Sequence, residues 1–146
     1  LGLAVAPVAA DPAVDGILRG HVRQNPNTDI AISTNTQIYK RSFYAAEAAR
    51  AYVRNHGDLY GPANITPGTP VAFPEADNPS ATEPILTGES EAFNGQVEYL
   101  NPGVPPRGSG FQVGKFKAHY YRMICRGHGP RDARTMIDSG FYRIGF

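Results

Sequence analysis

Tryptophan is absent from this 146-residue chain, and cysteine occurs once, at Cys125. A lone cysteine excludes an internal disulfide, so no covalent staple holds the fold. No apolar run approaches the roughly 20 residues needed to span a bilayer as a helix. Lysine and arginine are missing from residues 61–106, which carry six acids: Glu75, Asp77, Glu83, Glu89, Glu91 and Glu98. Large apolar side chains are scarce beyond eight Tyr and seven Phe, and a core built on so few is thin, so that partner surfaces complete it.

Glycine (16) and proline (13), by contrast, are plentiful, and nine of the prolines fall between Pro62 and Pro106. Each proline removes a backbone donor and fixes φ, which leaves no room for a helix of ordinary length there. The overall charge is only +1, yet residues 61–106 carry −6 and residues 107–146 carry +6. The chain is a charge dipole along its length. Residues 1–10 are apolar and small, as in a leader, a remnant of processing or the edge of a truncation. The compartment is open on these grounds.

The pattern predicts a short helix over residues 11–24, with Asp11 as cap and Pro12 in its first turn. Asn25-Pro26-Asn27 reads as a turn, and Ile30 and Ile32 alternate with polar residues as in a short strand. Residues 42–56 are Ala-rich and predict a helix capped by Ser42. Tyr44, Ala48, Ala51 and Tyr52 form its apolar stripe, Arg50 and Arg54 a solvent edge, and Gly57 its stop. Residues 61–110 read as an acidic, Pro-rich extended arm with short extended pieces at 69–73 and 96–100. Over 115–126, Lys115, His119, Arg122 and Arg126 share one face at helical spacing, beside an apolar stripe of Phe116, Tyr120, Met123 and Ile124, which predicts a helix. A short helix over 130–139 and an extended aromatic end complete the expectation. The fold class is therefore α+β with much irregular structure: two or three short helices, few short strands and a long Pro/Gly-rich arm. Its parts are an N-terminal helical region (1–60), the acidic arm (61–110) and a basic aromatic region (111–146), all one structural unit.

Cys125 lies near His119 and His128 in sequence, with Arg122 and Arg126 to lower its thiol pKa, as in a small enzyme with a Cys-His pair. No third group is spaced to orient the base, and these residues fall short of the four ligands of a zinc site, so no catalytic or metal set is assigned. The interleaving of Arg with Tyr and Phe after residue 107 is the composition of a single-stranded nucleic-acid surface, or of a face that docks protein. Tyr120, Tyr121, Arg122, Arg126, Tyr142 and Arg143 are the candidate partner-binding residues, since Tyr and Arg anchor interfaces. The asparagine of Asn64-Ile65-Thr66 stands in a glycosylation triplet.

Residues 38–67 run as Tyr39, an Arg-bearing helix, Gly57 and an extended piece ending Ile65-Thr66-Pro67. In that order they resemble the small linker domain of phycobilisomes, with a single glycine where the family has two and with Asp58, Gly61 and Pro62 interrupting the strand. The resemblance implies a basic connector threaded through pigment proteins in the plastid stroma. It further implies a covalent tetrapyrrole at Cys125, its propionates paired by Arg122 and Arg126. The expectation is thus a non-catalytic linker or structural subunit that docks on protein partners in a larger assembly. A Cys-His enzyme and a nucleic-acid binder are the alternatives.

Overall fold

The computed structural model describes residues 25–62 and 64–145, and the helix expected over 11–24 lies outside them. Residues 1–37 and 38–146 form separate units. Helix α1 (Pro26–Asn55) runs from the described end of the first into the second. The second unit adds β1 (Pro70–Phe73), β2 (Glu83–Pro84), β3 (Ala92–Gly103), β4 (Lys117–His128) and β5 (Arg134–Gly145). These strands make one antiparallel sheet in the order β1-β3-β4-β5, with β2 paired to β3 on the same side as β1.

This corrects the expected fold class. In place of two or three short helices and few strands, one 30-residue helix accompanies a five-stranded sheet. Asn25-Pro26 is the helix start and not a turn: Asn25 accepts from the Thr28 N–H at 2.8 Å, and Pro26 occupies the first turn, where its missing donor is not needed. Ile30 and Ile32 are helical, not extended. The Thr34 and Thr36 hydroxyls donate to the Ile30 and Ile32 carbonyls at 2.8 Å, satisfying polar side chains that otherwise weaken a helix. Residues 61–110 are no free arm, since β1, β2 and all of β3 come from them. Residues 115–126 and 130–139 are not helices: they supply β4, a 3-10 turn (Pro130–Asp132) and the start of β5.

The buried stripe of α1 is Ser42, Ala45, Ala46, Ala49 and Val53, and Tyr44 and Ala51 are exposed. Small residues face inward because the helix lies directly on sheet backbone. A Cβ on Gly127 would overlap the Ser42 carbonyl oxygen and the Ala46 nitrogen. Ser42 is not a cap. It is buried in mid-helix, donating to the Tyr39 carbonyl at 2.9 Å and meeting Thr135 Oγ1 at 2.7 Å.

Alternation does the rest. On β4 the odd positions Tyr121, Met123, Cys125 and Gly127 are buried on the helix side, and Tyr120, Arg122, Ile124 and Arg126 point the other way. Phe73, Phe93, Val97 and Tyr99 join Tyr121, Met123 and Cys125 beneath Ala49, Val53 and Leu59 to form the core. Phe73 lies over Gly95 of the neighbouring strand, so closely that any side chain there would strike its ring. Asn64 is 3% exposed and donates to the carbonyls of Leu59 and Val97 at 2.8 and 3.2 Å. The glycosylation triplet therefore has its acceptor nitrogen committed inside the fold.

Candidate functional site

The sheet has one face covered by the helix and one largely open face, on which Ala118 and Asn94 are nevertheless buried. On the open face Tyr120 and Tyr142 are cross-strand partners with ring centroids 6.0 Å apart. Met136, opposite Arg126, is 66% exposed. Between them Arg122 grips the Asp138 carboxylate through Nε, at 3.0 and 3.1 Å, and through Nη2. The guanidinium holds the Asp138 carboxyl below its usual range, and the carboxylate raises Arg122 in turn. Glu98 stands across from Arg122 on β3 and adds to that rise.

A second feature lies where the last turns of α1 meet the end of β5. There Arg50, Arg54 and Arg143 surround a cleft of about 350 Å³ floored by Val53, Met123 and Phe141. Its wall is tied together by Tyr60, whose carbonyl accepts from Tyr121 Oη at 2.9 Å and from Arg143 Nη1 at 3.4 Å. Tyr60 Oη donates to the Arg54 carbonyl at 2.9 Å. Arg50 is held by two 3.0 Å bonds to Glu47, and its Nε is buried without a partner among the described residues. Arg54 and Arg143 are in no ion pair among the described residues.

The six candidate partner-binding residues divide between these surfaces. Tyr120, Arg122, Arg126 and Tyr142 share the open face. Tyr121 is 1% exposed and stacks on Phe141 at 5.2 Å, a core position that leaves no ring to offer a partner. Its hydroxyl pKa is raised, by burial first, against the opposing pull of Arg143. Arg143 belongs to the cleft. The sequence reading marked Arg50 and Arg54 only as a solvent edge and missed the apolar floor beneath them, because residues from α1, β4 and β5 meet there through pairing that no local spacing encodes.

Cys125 is fully buried under the helix, and burial pushes its thiol up to about 11, with Arg50 opposing that rise. The structure does not bring it to either histidine. His119 is on the same face six positions away, roughly 20 Å along the strand, and bonds Tyr99 at 3.1 Å. His128 points to the opposite face, where Nε2 meets Asn94 Oδ1 at 3.2 Å. Burial, then Arg134 and Arg126, lower the His128 pKa. Among the described residues no group of three or more His, Cys, Asp or Glu is placed to hold a metal, and no helix is long and apolar enough to cross a membrane.

No protein-family model, curated protein or solved structure matches the chain. The architecture is an antiparallel sheet with one face under a helix and the other largely open.

Proposed function

We propose that this chain is a non-catalytic structural subunit that docks inside a larger protein assembly through the open face of its sheet. The carrying observation is the half-exposed Tyr120–Tyr142 pair and, six residues along β5, the exposed Met136, on a strand whose outer edge is unpaired among the described residues. Tyr, Met and Arg are the residues enriched in interface cores. A twelve-residue edge strand without proline or bulge offers a row of backbone donors and acceptors that partners can cover.

A single-stranded nucleic-acid surface has weaker support. Arg122, central to the open face, is spent on Asp138 with Glu98 alongside, so its charge is not available to phosphate.

The test is a photo-crosslinking residue at position 136, introduced in the cells that make the protein. The reading expects discrete adducts of higher mass. Recovery of the uncrosslinked chain alone would count against it.

A further inference from the structure

The cleft and the acidic segment are chemical complements at opposite ends of the same sheet. The cleft lies at the β5 edge, near Gly140 to Arg143. The acids of residues 75–91 lie around β2, which pairs with β3 at the far edge, level with the start of β5. Three strand spacings of about 4.8 Å and some seven residues of strand, roughly 24 Å, separate them. The β2–β3 hairpin carries an apolar tip, with Ile85 and Leu86 exposed, Leu86 by 64%. Glu83 and Glu89 flank it, exposed and in no ion pair among the described residues. The tip is shaped in advance: the Ile85 N–H donates to the Glu91 backbone carbonyl at 3.0 Å and the Glu89 N–H to the Leu86 carbonyl at 3.2 Å. Glu91 is anchored to Arg41 at 3.2 Å. A preformed loop loses less entropy on docking than a mobile one.

We infer that the cleft between α1 and β5 receives the Ile85–Leu86 hairpin tip of a second copy of this chain. This rests on the assembly-subunit reading above and names its partner. Leu86 seats on Val53, Met123 and Phe141, and Glu83 and Glu89 meet Arg54 and Arg143. The tip cannot reach its own cleft across the sheet, so the contact is heterologous. A head-to-tail contact that does not close on itself builds an open chain of copies.

Sedimentation of the purified protein across concentration tests this. Mass should climb with concentration and reach no plateau at dimer, with association weakening at least about tenfold between roughly 50 and 500 mM salt. The cleft variant R54E/R143E and the tip variant E83R/E89R should each remain at 15.8 kDa. Mixed one to one they should associate again, because the reversed charges match. Leu86→Asp, at an exposed position that folding does not need, should block association without the arginine changes. The proposal falls if the wild-type chain stays at 15.8 kDa up to about 1 mM, or if it associates equally with either variant set in place.

A crosslinker at position 86 in cells separates this from the broader reading. An adduct of twice the chain's own mass supports copy-to-copy docking. An adduct of another mass overturns it and leaves the assembly reading standing. Adducts at neither 86 nor 136 overturn both.

Discussion

The hydroxyls of Ser42 and Thr135 meet at 2.7 Å across 93 residues of sequence, fastening the middle of the helix to the edge strand. Ser42 is 1% exposed, so removing its oxygen leaves Thr135 facing the helix without this partner. Ser42→Ala is expected to cost about 1–2 kcal/mol, read as a lower urea midpoint with an unchanged slope. An unaltered midpoint would mean that the contact contributes nothing.

Gly127 sets how closely the helix approaches. Its missing side chain lets the Ser42 and Ala46 backbone lie on β4, so Gly127→Ala must push the helix outward. A loss of about 2–4 kcal/mol is expected, against near neutrality for alanine at Gly140, where the nearest atom is 3.7 Å away. Thermal unfolding of the pair decides it.

Cys125 should be a slow thiol. With its pKa at about 11, roughly one molecule in ten thousand carries a thiolate at pH 7, and burial shields even that one. Iodoacetamide labelling should therefore track unfolding and accelerate sharply in denaturant. Rapid native labelling at neutral pH would restore the Cys-His alternative.

His128 gives the stability a pH dependence of known sign. Its folded pKa is lowered, by burial first and then by Arg134 and Arg126, so the folded state favours the neutral ring. The unfolded chain then binds the proton more readily, and stability is complete above the ordinary value of about 6.5 and is lost as pH falls through the folded value. Denaturation between about pH 7.5 and 5 should show this decline, and His128→Gln should flatten it.

Parts of this fold were legible in the sequence, and the reasons others were not are local. The Ala-rich stretch marked the second half of α1, but its N-terminal half, rich in Thr, Asn and Ser, has low helix propensity and hid the start at Asn25-Pro26. β4 mimicked a helix because its open face keeps Tyr120 and Ile124 beside Tyr121, Met123 and Cys125, which blurs the alternation. The turn from β4 to β5 carries positive φ at Arg131 and Asp132, 56° and 58°, without the Asn-Gly signature that such turns usually show. The charge dipole was visible as sequence. That it spans opposite edges of one sheet depends on strand order, which no single segment records.

The most direct test of the assembly account is the native size of the chain in extracts of the cells that make it, compared with a Tyr142→Ser, Met136→Ser variant. Both side chains are exposed, 49% and 66%, so the variant should fold as the wild type does. The account predicts a wild-type complex of high mass and a variant shifted to the mass of the free chain. A wild-type chain that elutes alone, or a variant that stays in the complex, would contradict it.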